Sequence, residues 1–367
     1  MKIKTITCHD VYNYGASLQA YALMSYLEQL GHEVEIIDYK PDYLSNHYQL
    51  RVANPVYNKP VIKQLYLLAK LLPHLRSLKR KKLFDAFKVD YLKITSARYT
   101  SNDELKVNLP EADLYIAGSD QIWNTLFRNG KDPAFYLDFV PESKIKASYA
   151  ASMATSQIAP GFEDFVRSEV MKLDYIGVRE RSAAKILNKL GITDVHVVCD
   201  PVFLLSRKQW EDFIDVHHSI NTEPYVLVYD FDQSKSIYDI SRFLARSENL
   251  KIVPIGMTKF GKRADQSLKM GPIEFLNLIY HAQYVISNSF HATAFALLFQ
   301  KEFYVVKRTE ALNERMTDLL ADLDLGNRLV ASVSDLGKMK IDYPHVQGLL
   351  NKIIQTSKDY ITLITER

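Results

Sequence analysis

A chain of 367 residues is long for one hydrophobic core, so its length predicts two domains. With 47% hydrophobic and 24% charged residues it has the composition of an ordinary soluble globular protein, and a thinly spread net charge of +3 argues against a dedicated nucleic-acid binder. The two cysteines, Cys8 and Cys199, form no CxxC-type spacing, which excludes a disulfide framework and a cysteine zinc site.

Lys2–Thr7 reads as a strand, Ala16–Leu30 as an amphipathic helix stopped by Gly31, and Glu33–Asp38 as the next strand. This opening βαβ unit predicts a parallel pair with a right-handed crossover. The N-terminus is one amphiphilic strand without the apolar segment of a signal peptide. No run approaches the roughly 20 apolar residues that span a bilayer, so the expected location is the cytoplasm. Pro41–Pro110 breaks the alternation and reads as a helical insertion, with helix-like stretches at Pro60–Leu72 and Leu75–Tyr91. The second stretch carries Arg76, Lys79, Arg80, Lys81 and Lys82, either a solvated face or a contact for an anionic acceptor or a membrane.

Strand signals return at Asp113–Ala117, Ile145–Ala150, Tyr175–Val178 and His196–Val198, with helices at Pro160–Leu173 and Arg181–Leu190. Irregular sequence at Cys199–Ser206 predicts the link between domains. Further strands follow at Tyr225–Tyr229, Lys251–Ile255, Tyr284–Ser287 and Phe303–Val306, with a helix at Ile273–His281 and a terminal helix from Val346. The predicted architecture is α/β: two Rossmann-like domains facing a cleft, over 1–199 and 200–345, with the helix 346–367 packing back on the first. The first domain is the acceptor side and the second the donor side. The 23 tyrosines, with Trp123 and Trp210, fit either core packing or sugar stacking.

Four strand ends carry candidate chemistry, since ligands of open α/β sheets bind where strands give way to helices. The loop Asn13-Tyr14-Gly15-Ala16-Ser17 opens a helix, and Gly15 allows close backbone approach to an anion or a sugar hydroxyl. The bland alternative is a turn capped by Asn13 or Ser17. Gly118-Ser119-Asp120-Gln121-Ile122-Trp123-Asn124 follows an apolar strand. Here Asp120 is either a helix cap or an acid, base or hydroxyl ligand, with Gln121, Trp123 and Asn124 shaping an acceptor pocket; the alternative makes Trp123 a core anchor. Arg179, in Val178-Arg179-Glu180-Arg181-Ser182, presents a planar fork for carboxylate or phosphate at a strand end, in competition with a salt bridge to Glu180 or Asp200. Ser287-Asn288-Ser289-Phe290-His291 leads into Ala292–Phe299, a helix too apolar to be exposed. Its N-terminus favours an anion, and His291 can move a proton near neutrality. Glu310, Asn313 and Arg315 form a weaker ring around the same edge.

The order NYGASLQAYAL, GSDQIWN, SYAASM, VRERS, DPVFLL and SNSFHATAFALLF resembles the polysaccharide pyruvyl transferase family, from about residue 5 to about residue 330. The insertion at 41–110 and the tail stand outside the resemblance. Its most specific element is a small hydroxyl residue, then His, then a small residue leading an apolar helix, here Ser289-Phe290-His291-Ala292. Where many members carry a GGG run this chain has Gly118-Ser119-Asp120. It also lacks an arginine before the histidine, so that anion contact falls to Arg308 or Arg315. The resemblance implies a GT-B-like fold and transfer of a pyruvyl group from phosphoenolpyruvate to a sugar, forming a ketal on a surface polysaccharide or its lipid-linked precursor. It implies His291 and Asp120 as acid and base, with Arg179, Ser287, Ser289 and Arg315 holding the donor. Asn13, Gly15, Gln121, Trp123 and Asn124 would face the acceptor. The chemistry requires no metal and no cofactor beyond phosphoenolpyruvate as co-substrate. It needs no nucleic-acid partner and is compatible with peripheral association at the inner face of a membrane. The rival readings are a GT-B-type glycosyltransferase using a nucleotide sugar and a non-catalytic accessory protein of glycan assembly.

Overall fold

The computed structural model describes residues 1–45, 78–214, 223–256, 258–261, 267–307, 314–337 and 339–366. Seven parallel strands form the first sheet: β1 (Lys2–Ile6), β2 (Glu33–Tyr39), β3 (Ile94–Tyr99), β4 (Leu114–Ala117), β5 (Ile145–Ala151), β6 (Tyr175–Val178) and β7 (His196–Val197), in the order β3-β2-β1-β4-β5-β6-β7. Five more, β8 (Tyr225–Asp230), β9 (Lys251–Gly256), β10 (Tyr284–Ser287), β11 (Glu302–Val306) and β12 (Leu329–Val330), form a second parallel sheet in the order β12-β11-β10-β8-β9. Each sheet is Rossmann-like. Every residue of β4 and β8 is buried, as expected of strands covered by helices on both faces. The order reverses between β1 and β4 in the first sheet and between β8 and β10 in the second, and such switch points open crevices at the carboxyl ends of the strands.

The two halves share one core. All nine residues of the helix Phe290–Leu298 are buried, so an apolar surface on every side is matched by packing on every side. Aromatic rings join the sheets: Tyr14, on the helix Tyr14–Gln29, stacks on Phe275 at 4.6 Å, and Trp210 meets Phe295 edge-on at 5.0 Å. Tyr21 lies edge-on to both Trp210 and Phe213, at 6.0 and 4.7 Å. These rings serve as packing rather than as a sugar platform. The last helix, Tyr343–Thr365, returns to the first sheet: Tyr360 donates to Ser148 O at 2.9 Å, and Ser357 Oγ accepts from Cys199 N at 2.8 Å. Among the described residues no helix is long and apolar enough to cross a membrane. Cys8 and Cys199 are buried free thiols.

Two local expectations are corrected. The stretch read as a helical insertion over 41–110 also contains β3 and the helix Asn102–Val107, so part of it belongs to the sheet. The sequence Ile94-Thr-Ser-Ala-Arg-Tyr99 hides this because an edge strand is half exposed and carries little apolar signal. The expected helix at Pro60–Leu72 lies outside the described residues. No helix begins after Gly118 either; the chain runs through turns and short 3₁₀ segments, Asn129–Lys131 and Pro133–Tyr136.

The β2–β3 edge is tied electrostatically. Asp38 accepts from Arg98 Nε at 2.8 Å and lies 3.4 Å from His9 Nε2. Burial opposes its charge, but His9 and Arg98 hold its pKa down at about 2. A depressed carboxylate contributes stability above its ordinary range that is lost as pH falls toward the folded value. Denaturant unfolding at pH 7, 4 and 2.5 is therefore expected to show a steeper acid loss in the unaltered protein than in Asp38→Asn. Parallel acid profiles for the two would contradict this.

Candidate active site

The carboxyl ends of β4, β5 and β6 meet the carboxyl end of β10 across the crevice. At β4 the chain turns sharply. Asp120 has φ 78°, a left-handed conformation that a non-glycine residue adopts at some cost. Its carbonyl accepts from Ser152 N at 2.9 Å, pairing the turn with the end of β5, and its Oδ1 accepts from Gln121 N at 2.8 Å. That pairing turns the chain where a helix was expected. Asp120 remains partly open to the cleft, with its carboxylate 4.0 Å from Arg179 Nη2.

Arg179 leaves β6 with its guanidinium 1% exposed. Nη1 donates to Asp200 Oδ2 at 2.5 Å, and Nε lies 3.9 Å from Glu180 Oε2. Burial disfavours the charge, but the carboxylates of Asp200, Glu180 and Asp120 outweigh it and hold the pKa above the usual arginine value. Its Nε and Nη2 make no hydrogen bond among the described residues. Glu180 secures the loop after β5: Oε1 accepts from Ser152 Oγ, Met153 N and Ala154 N at 3.1, 2.8 and 2.9 Å. The next arginine, Arg181, reaches the second half and pairs with Asp322 at 2.7 Å.

From the second half come Phe290, His291 and Arg315. Ser289 caps the helix that carries Phe290 and His291 by accepting from Ala292 N at 3.4 Å, and Ser287 Oγ donates to Tyr229 O while accepting from Ser289 N. Both serine hydroxyls are thus engaged in building the helix mouth. His291 is buried, with Nε2 3.4 Å from Asp200 Oδ2. Both guanidinium groups lie on the Phe290 ring, that of Arg179 at 4.7 Å and that of Arg315 at 5.4 Å. Burial and the neighbouring Arg179 charge push the Arg315 pKa down to about 10, which leaves it charged at neutral pH. Arg308, Glu310 and Asn313 lie outside the described residues.

The expected acceptor residues divide. Gln121 lies at the site: its carboxamide is 3.0 and 2.9 Å from Arg315 Nη1 and Nη2. Asn13 caps its helix, accepting from Ala16 N at 3.3 Å. Asn124 is buried and its Oδ1 accepts from Leu126 N at 3.1 Å. Trp123 is 0% exposed, stacked on Tyr136 at 5.3 Å and donating to Phe135 O at 3.0 Å, so it anchors the core and presents no surface to a sugar.

Gly15 closes the site from the first half. A Cβ there would stand 2.0 Å from His291 Nδ1, so the backbone lies directly on the imidazole. Gly15→Ala is therefore expected to turn the ring or part the two halves. The ¹⁵N shifts of the His291 ring check this, and unchanged shifts would contradict the contact. The enclosed space bordered by Arg179, Asp200, Phe290 and Arg315 is about 40 Å³. Small-molecule pockets measure roughly 300–1,000 Å³, well above this volume.

Asp200, Glu180 and Phe290 were not singled out as site residues from sequence. Glu180 and Asp200 are the salt-bridge partners that the sequence offered Arg179, and both lie against it; the contact of Asp200 with His291 is what the sequence does not mark. A buried acid directly after an arginine at a strand end is the one signal that Glu180 offered.

The family model for polysaccharide pyruvyl transferase matches residues 13–309. No curated protein matches this chain. Among solved structures, a candidate UDP-N-acetylglucosamine 2-epimerase from Listeria monocytogenes aligns with a TM-score of 0.50 at 11% identity, over 99% of this chain and 90% of that one. The UDP-GlcNAc 2-epimerase of Neisseria meningitidis, bound to UDP-GlcNAc, gives 0.46 at 10%, over 100% and 94%. The glycosyltransferase SsfS6 of Streptomyces sp. SF2575, complexed with thymidine diphosphate, gives 0.41 at 12%, over 98% and 96%. At such identities the likeness is one of fold, two Rossmann-like domains in a GT-B-like arrangement.

Proposed function

Because the chain belongs to the polysaccharide pyruvyl transferase family, we propose that it transfers the pyruvyl group of phosphoenolpyruvate to two hydroxyls of a sugar, forming a ketal and releasing phosphate. The acceptor in this reading is a surface polysaccharide or its lipid-linked precursor. The observation that carries the reading is the pair of guanidinium groups at the cleft: Nε and Nη2 of Arg179 and Nε of Arg315 are buried and have no acceptor among the described residues. Planar forks suit a carboxylate and a phosphate, the two anionic ends of this donor.

The chemistry assigns each group a task. His291 gives a proton to the methylene carbon of phosphoenolpyruvate, which becomes the methyl group and leaves an oxocarbenium centre at the neighbouring carbon. A sugar hydroxyl adds there and loses its proton to Asp120, the cleft-facing carboxylate. The C–O bond to phosphate then breaks, and a second hydroxyl of the same sugar adds, losing its proton in turn. One of the two hydroxyl protons replaces that taken from His291 and the other leaves with the phosphate. Arg179 and Arg315, both buried, stabilise the charge on the leaving phosphate.

The test is a ³¹P and ¹³C experiment with phosphoenolpyruvate labelled at its second carbon and a panel of hexosides in D₂O. Ketal formation with one deuterium in the new methyl group, together with phosphate release, is expected. Sugar transfer from a nucleotide sugar in place of this reaction would instead identify a glycosyltransferase.

A further inference from the structure

Asp200 lies between the two sheets, and each of its carboxylate oxygens has a separate task. Oδ1 accepts from Val202 N at 3.1 Å, in a 3₁₀ turn that begins at Pro201 and is buried throughout. Phe203 N donates to the Asp200 carbonyl at 3.0 Å, so the loop is held by backbone as well as side chain. Oδ2 accepts from Arg179 Nη1, which comes from the first sheet, and faces His291 Nε2, which comes from the second. The carboxylate is 0% exposed. A turn cap alone does not require a charge, since asparagine caps as well as aspartate. Burying a carboxylate is unfavourable unless cations or donors compensate it. Of the acids around the paired arginines, Asp120 and Glu180 also face Arg179, but Asp200 is the one that also touches the imidazole.

We infer that Asp200 is a positioning residue for pyruvyl transfer, holding His291 through Nε2 and Arg179 through Nη1 so that proton donor and anion clamp keep one geometry. This rests on the reading of His291 as the proton donor. The carboxylate fixes which ring nitrogen carries the proton in the neutral imidazole and leaves Nδ1 on the Gly15 side. It also stabilises the imidazolium that precedes proton transfer. At 3.4 Å the contact is longer than a hydrogen bond, and such contacts tighten when a reacting complex forms.

Two measurements decide it. In the intact, unaltered protein, ¹⁵N spectroscopy of His291 is expected to show the neutral ring as the Nε2–H tautomer, and an Nδ1–H tautomer would overturn the inference. In Asp200→Asn the turn cap is kept and the charge removed. Turnover is expected to fall roughly 10²–10⁴-fold, as when an orienting carboxylate is lost beside a catalytic histidine. Phosphoenolpyruvate affinity should stay within roughly threefold or improve, because Arg179 loses a competing anion. Near-normal turnover, or parallel losses of turnover, donor affinity and melting temperature, would show a merely structural role. If the unaltered protein turns over no phosphoenolpyruvate, the functional reading fails, whereas the tautomer still decides the role of Asp200.

Discussion

His291→Ala is expected to reduce ketal formation by roughly 10²–10⁴-fold, the usual worth of a positioned proton donor, and to leave the protein folded. The ring is buried against Gly15 and Asp200, but its removal leaves the Asp200–Arg179 pair intact at 2.5 Å. No uncompensated charge is created, so the melting temperature should fall by only a few degrees. His291→Gln separates binding from chemistry, because it keeps a polar group beside the donor and cannot deliver a proton to carbon. Steady-state kinetics and calorimetric binding of phosphoenolpyruvate should show donor affinity retained and turnover lost. If the glutamine variant turns over normally, the histidine only binds and Asp120 becomes the acid. If the alanine variant unfolds, His291 is structural.

Arg179 is expected to give the larger stability effect. Its burial among Asp200, Glu180 and Asp120 makes any neutral substitution costly to the fold. Arg179→Met leaves buried carboxylates without their cation and should destabilise the protein by about 3–5 kcal/mol. Arg179→Lys keeps a charge for Asp200 but loses the planar fork and the stacking on Phe290, at 4.7 Å in the native site. Its stability should suffer less, while phosphoenolpyruvate affinity falls at least about tenfold, the worth of roughly 1.4 kcal/mol. Denaturant titration and calorimetry measure the two effects separately. A lysine variant that binds phosphoenolpyruvate as well as the native protein would contradict the clamp.

The elements that were legible from sequence are those whose local pattern and tertiary environment agree. Apolar runs such as Leu114–Ala117 and Tyr225–Asp230 are central strands because both faces are covered. The uniformly apolar helix at Phe290–Leu298 is buried for the same reason. The Ile94–Tyr99 strand was hidden by its position at an edge, where polar residues are tolerated. Trp123 shows the converse: polar neighbours suggested a ligand platform, but its partners Tyr136 and Phe135 come from a segment that folds back beneath it. The strand ends carrying Asp120, Arg179 and His291 could be read locally. That Asp200 also meets His291, and that Gly15 lies on that histidine rather than on a ligand, are products of packing two sheets together and leave no local mark.

In the proposed function, the Arg179 and Arg315 clamp receives phosphoenolpyruvate. Calorimetric titration of the native protein and of Arg179→Lys with phosphoenolpyruvate, and with UDP-N-acetylglucosamine as competitor, tests it most directly. Saturable binding of phosphoenolpyruvate that weakens in the lysine variant and is indifferent to the nucleotide sugar is the predicted result. Binding of the nucleotide sugar with no heat from phosphoenolpyruvate would contradict it.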